Sequence, residues 1–273
     1  MSFPSLAAGA RAVLLCGDAE EKARIAHDVA KAWRRGDLPL TAADDEQMPV
    51  RPNRPVRPEL LSHRDMPRRT FKGPRGRFAL LHSLAHIELN AIDLAFDMAG
   101  RWAGGADGEE LPRAFFDDWV QVGDDEAKHF LAIEGRLKAM NGTYGDLPAH
   151  NGLWETAEET RHDLLARLAV VPMVLEARGL DVTPVMIEKL KAAQDQASAD
   201  VLTMIYRDEQ QHVGAGTRWF SYLCQSRDLP VEATFHHLVR KHFRGLLKHP
   251  FNVEARDSAG LSPDFYLPLT TAN

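Results

Sequence analysis

The chain has 273 residues, 44% of them hydrophobic, and a formal net charge of −6. That length suits one large domain, or one domain with long extensions, and so mild a charge selects neither a nucleic acid nor a membrane surface. No run approaches the roughly eighteen apolar residues of a membrane span. Two cysteines, Cys16 and Cys224, form no C-x-x-C and no disulfide framework, so a reduced cytoplasmic setting is expected, with no membrane and no DNA partner.

The early apolar stretch from Ala12 to Cys16 reads as a helix start or strand. Leu15 is too large for the small-residue cleavage site of a secretion signal. Residues 18–35 then predict a helix: Asp18 can cap it, Glu20 and Glu21 suit its first turn, and Arg34 and Arg35 precede Gly36. Residues 1–48 are therefore expected to form an N-terminal helical extension.

Residues 49–76 differ in kind. Pro49, Pro52, Pro55, Pro58, Pro67 and Pro74 forbid a persistent helix or central strand. Up to Arg77 the segment carries about +7, leaving about −13 for the rest. The favoured reading is an extended arm laid across an acidic helical body, its arginines paired to surface carboxylates. The alternatives are an edge for phosphate or RNA, for which Arg68, Arg69, Arg75 and Arg77 are the candidates, and plain disorder.

Residues 77–224 predict four long helices. The first, Arg77 to Trp102, is apolar around most of its surface yet holds Glu88 near its centre, where an unpaired charge is costly. The second runs from Pro112 to Asn141-Gly142, with Gly123 one turn before Glu126. A loop over 141–155 follows, in which His150 and Trp154 are candidate pocket residues, a surface turn being the favoured reading for His150. The capping box Thr156-x-x-Glu159 is expected to open the third helix, which Pro172 bends one turn before Glu176 and Gly179 ends. Thr183-Pro184 reads as the start of the fourth helix, running to Cys224. Residues 225–273 are expected to add a helix from Val231 to about Leu247, with a solvated His- and Arg-rich face, and an extended strap over the last twenty residues.

The chemistry is concentrated in a repeat. Asp125-Glu126-Ala127-Lys128-His129 returns as Asp208-Glu209-Gln210-Gln211-His212. On a helix, positions i and i+3 share a face, so each copy can aim a carboxylate and an imidazole at one point. One Glu from each of two helices plus Glu-x-x-His from each of two others is the ligand plan of two-metal carboxylate bundles. The candidate ligands are Glu88, Glu126, His129, Glu176, Glu209 and His212. Their carboxylates are 38, 50 and 33 residues apart, which is two half-helices and a connection each time. Four carboxylates and two imidazoles suit two iron ions, or manganese, or one of each, and leave two divalent charges balanced. Glu134, Glu155, Glu158 and Glu188 read as solvent residues instead. Asp125 and Asp208 are placed to hold the ligating histidines by their second ring nitrogen.

These residues carry a resemblance. Glu88 within AHIELNAIDLAFD, DEAKH, Glu176 within PMVLEARGL, and DEQQH resemble the ferritin-like superfamily over residues 77–224. With the YGDLPAHNGLWE loop and the LEARGLDVTP turn, the whole chain is similar to a bacterial family of ferritin-like proteins of unknown function. The Asp-Glu-x-x-His form is similar to bacterial di-iron oxygenases, including a hydroxylase of modified tRNA. The resemblance implies an all-α four-helix bundle holding two iron ions and an O2-dependent oxidase or hydroxylase. Its substrate would be a small molecule or RNA held near His150 and Trp154, and its electron donor is left unnamed. Ferroxidase or peroxide-scavenging activity, or an RNA- or protein-binding module around a structural metal, are the competing expectations. A homodimer is compatible with all of them.

Overall fold

The computed structural model describes residues 2–62, 65–67 and 72–271. Among them the chain is all-helical, without a strand; its β-type pairing is limited to isolated bridges. It divides into two compact units, Met1–Trp154 and Glu155–Asn273.

The first unit is built on two long helices, α3 (Gly73–Arg101) and α4 (Arg113–Ala139), which pack extensively on each other. The shorter α1 (Leu6–Leu15) lies against α3, and α2 (Ala19–Arg34) against α4. The α2 ends are as predicted: Asp18 accepts the Glu21 amide at 2.8 Å, and Lys31 and Arg34 sit in the last turn. The Ala12–Cys16 stretch closes α1 rather than opening an element. α3 begins four residues earlier than expected because Pro74 falls in its first turn, where its missing N–H costs nothing. Gly123 is explained by packing: a Cβ there would meet the Phe96 ring at 2.6 Å, so its absence lets α4 approach α3.

The described part of the arm is extended and fastened. Asn53 donates its amide to Leu14 O at 2.8 Å, Arg101 reaches Pro49 O at 2.8 Å, and Glu59–Leu61 pair with Ala149 in a parallel bridge. Its Arg54 meets a buried carboxylate, Asp93, where a surface partner was expected. Arg64, Arg68 and Arg69 lie outside the described residues; Arg75 and Arg77 lie within α3.

The second unit corrects the reading of the third and fourth helices. Thr156 opens nothing: it lies inside α5 (Gly152–Glu159). The chain then breaks, because the buried Arg167 takes the α5 carbonyl of Ala157 at 2.6 Å and Thr160 Oγ1 at 3.0 Å, while Asp163 caps α6 (Leu164–Val170). Pro172 starts a π-helical turn, Val171–Glu176, in place of a bent α-helix. Gly179 and Thr183-Pro184 do not interrupt the chain; both lie inside α7 (Ala177–Ala192). Pro184 has no N–H for the carbonyl of Leu180, and the Asn252 side chain supplies one from the C-terminal segment at 3.2 Å. α8 (Gln196–Ser226) starts at its own cap, Asp195.

α9 (Val231–His242) stops before Leu247, since Phe243 is extended and Gly245 has φ +112°. Over the described residues up to 271 the expected strap is replaced by α10 (Val253–Ser258), α11 (Pro263–Tyr266) and a 3-10 turn, Leu267–Leu269. Asn252 caps α10, and Pro263 sits in the first turn of α11.

Candidate metal centre

α3 delivers Glu88 and α4 delivers Glu126 and His129, one turn apart. Glu126 and His129 have no exposed surface, and Glu88 retains 4%. One ligand atom from each of the three lies within 4.8 Å of the others. His129 Nδ1 is 3.3 Å from Glu88 Oε2 and 3.3 Å from Glu126 Oε2.

That spacing is long for a charge-assisted hydrogen bond, which settles near 2.7–2.9 Å. Two donors each about 2.1 Å from one ion, at roughly 90–109°, sit about 3.0–3.4 Å apart. The separation of these atoms is compatible with neighbours on a common cation. Electrostatics agree. Burial, followed by the Glu126 charge, pushes the Glu88 carboxyl up to about 8, so at neutral pH the pair needs a proton or a cation. The donor set, two carboxylates and an imidazole with no thiolate nearby, fits iron or manganese.

The second copy of the motif lies on α8 in the other unit. Glu209 and His212 are both buried, with Glu209 Oε1 3.9 Å from His212 Nδ1. Glu176, half-buried, is the last residue of the π turn. Gly216, one turn past His212, makes room for that turn: a Cβ there would meet Pro172 at 2.5 Å.

A family model described as "Protein of unknown function (DUF455)" matches residues 15–267. The chain belongs to that family. A relative described as "Uncharacterized protein" from Haemophilus influenzae (strain ATCC 51907 / DSM 11121 / KW20 / Rd) is 42% identical over 210 residues, covering 76% of this chain and 73% of the relative. No solved structure matches. Family membership thus supplies neither substrate nor activity, and the site has to be read from its own residues.

Of the residues proposed to orient ligands, the Asp125 carboxylate receives Lys128 Nζ at 2.8 Å and Gln121 Nε2 at 3.1 Å, and Asp208 is half-buried on α8. His150 gives its carbonyl oxygen to His86 Nε2–H at 2.8 Å, and the buried Trp154 donates its indole N–H to Val50 O at 3.1 Å. Both fasten backbone: His150 the loop, Trp154 the arm.

Several polar residues were missed. Glu134, read as a solvent acid, is buried; it accepts the Thr143 hydroxyl and, at 2.8 Å, the Tyr144 amide. His82 Nε2 accepts the Gly145 amide at 2.9 Å, and His86 Nδ1 accepts the Tyr144 hydroxyl at 2.8 Å. Further along α3, Asp93 takes Lys22 and Arg54 at 2.5 Å each, and Arg54 also reaches Asn90 at 2.6 Å. The signal was present: His82, His86, Asn90, Asp93 and Asp97 recur every three or four positions in an otherwise apolar helix. Burial lowers His86 to about 4, so it is a neutral acceptor for Tyr144 and donor to His150.

No helix among the described residues is long and apolar enough to cross a membrane.

Proposed function

We propose that this protein is a two-metal carboxylate oxidoreductase on a ferritin-like four-helix plan, using O2 to oxidise or hydroxylate a small-molecule or RNA substrate. The observation that carries the reading is the convergence of Glu88, Glu126 and His129 in a buried place whose two acids have one imidazole between them. Recurrence of Asp-Glu-x-x-His, with Glu176 on a π turn, supports assigning Glu176, Glu209 and His212 as the remaining ligands.

Two iron ions, or manganese, would supply electron transfer to O2 when bound. The chain's part is to present Glu88 and Glu126 as carboxylates and His129 through Nδ1, and to keep water away from them. Loading requires Glu88 to release the proton that burial favours, so uptake of metal at neutral pH expels acid. His82, His86 and Glu134 lock the 143–150 segment onto α3 and α4, which keeps this end of the unit rigid.

The test is anaerobic loading of the full chain with Fe(II) or Mn(II), followed by metal analysis and O2 uptake. Two ions per chain and O2 consumption, both lost in Glu126→Ala, are expected. Absence of bound iron and manganese, or bound metal inert to O2, overturns the reading. Iron uptake far above two per chain would point to mineral storage instead.

A further inference from the structure

The second unit holds a cavity of about 360 Å³ beside the π turn, distinct from any proposed metal ligand. That volume lies at the small end of the range for small-molecule sites, roughly 300–1,000 Å³. Its apolar lining includes Leu175, Phe243, Leu246 and Phe251. Its charged lining is Arg178, Arg244, Lys248 and Arg256 against a single acid, Asp181.

Arg256 decides what the cavity is for. It is 3% exposed and lies over the Phe251 and Tyr266 rings, at 5.0 and 4.6 Å. One edge of its guanidinium is used: Nε donates to Asp181 Oδ1 at 2.8 Å, and Nη2 donates to Asp181 Oδ2 at 2.7 Å and to Ala177 O at 3.4 Å. Nη1 is buried and has no hydrogen-bond partner among the described residues. A guanidinium nitrogen left in that state is costly, and the cost is relieved by an acceptor brought in from outside. Asp181 is already shared with Arg178, whose Nη1 lies 3.2 Å from Oδ2 and also holds Lys248 O and Pro250 O at 2.9 Å each. Arg244 is paired as well, its Nη2 3.0 Å from Glu159 Oε1, so the four cations leave an excess of positive charge at the wall after both acids are counted.

We infer that this cavity binds a small carboxylate with an apolar body, its head accepting from Arg256 Nη1 and its hydrocarbon lying against Leu175, Phe243 and Leu246. A planar monoanion suits a guanidinium edge beside Asp181, whereas a compact dianion gains nothing from the apolar wall and is repelled by that acid. The inference does not depend on metal at Glu88 and its neighbours.

Calorimetric titration of the full chain with octanoate, 1-octanol and inorganic phosphate tests it. Octanoate is expected to bind one per chain, at least about tenfold more tightly than 1-octanol or phosphate, because only it satisfies both walls. Leu246→Trp, at a position 44% exposed in the native chain, fills the cavity and is expected to weaken octanoate at least about tenfold with unfolding temperature unchanged. Arg256→Lys is expected to abolish the preference for octanoate over 1-octanol. Either variant suffices if the other does not fold. Lack of saturable octanoate binding, equal affinity for 1-octanol or phosphate, or indifference to whichever variant folds would overturn the assignment.

Discussion

Two of the acids that helix α3 buries, Asp93 and Glu88, face opposite circumstances. Asp93 meets cations: Lys22 and Arg54 each approach it at 2.5 Å. Glu88, less than two turns earlier, meets another acid, Glu126, and one imidazole. Burial pushes both carboxyls above their ordinary range, and it pushes the Lys22 amine down. What differs is the company. An acid among cations is a structural tie; an acid among acids is a place that asks for a proton or a metal. The largest expected effect tests that distinction on the metal side. Glu126→Ala or His129→Ala should lower affinity for Fe(II) by about a hundredfold or more, beyond the 10–100-fold typical of residues that only orient ligands. Asp93→Asn should leave metal affinity within about threefold of the parent, since the pair it breaks serves stability alone. Competition with a coloured chelator measures both.

Stability should invert the ranking. Asp93→Asn leaves Lys22 and Arg54 facing a neutral amide and should cost about 3–5 kcal/mol in denaturant unfolding. Glu88→Gln, in metal-free protein at pH 8, should be neutral or stabilising, because it removes one of two acids that repel each other. A large loss of stability in Glu88→Gln would make Glu88 a tie like Asp93 and end the contrast.

Acidity separates the two polar stretches of α3 by sign. His86 in the folded chain titrates at about 4, below its ordinary 6.5. The unfolded chain therefore takes the proton first. The neutral imidazole contributes its full stabilisation above pH 6.5 and loses it as pH falls towards 4, a change of about 3 kcal/mol. Glu88 works in reverse: raised to about 8, it binds a proton more readily when folded, so its contribution is complete below 4.5 and is lost as pH rises to 8. Unfolding of metal-free protein at a series of pH values should show the acid loss vanish in His86→Gln and the alkaline loss vanish in Glu88→Gln.

How much of this was legible beforehand depended on whether the deciding contact was local. α2, α3 and α4 were read within a few residues, since caps, terminal charges and apolar periodicity all reside in the segment itself. The convergence of Glu88, Glu126 and His129 followed from helical spacing and from the expense of an acid in an apolar helix. The misreadings cluster where a distant group intervenes. Pro184 reads as a helix start until Asn252 satisfies the carbonyl it strands, and Thr156 reads as a cap until Arg167 closes the turn that follows. Glu134 looks like a solvent acid until the 143–144 backbone folds over it. The histidines and acids along α3 were visible as a pattern, but their partners Lys22, Arg54 and Tyr144 come from three separate segments that no spacing rule connects.

The smallest expected effect bears on the seam that both stretches share. Gly123 lets α4 approach α3 where a Cβ would meet Phe96 at 2.6 Å, one turn before Glu126. Ala is the better helix former by about 1 kcal/mol, so on propensity alone Gly123→Ala should stabilise. Overpacking opposes this with about 1–3 kcal/mol, because the ring is buried and has nowhere to turn. The net should be a loss of up to about 2 kcal/mol, together with weaker metal binding as Glu126 is carried away from Glu88. Phe96→Leu in the same chain removes the obstructing ring edge and should recover the metal affinity even though it shortens the core. Asp93 and its two cations lie off that contact, so unchanged affinity in Gly123→Ala would mean that the helix spacing does not set the distance between the two acids.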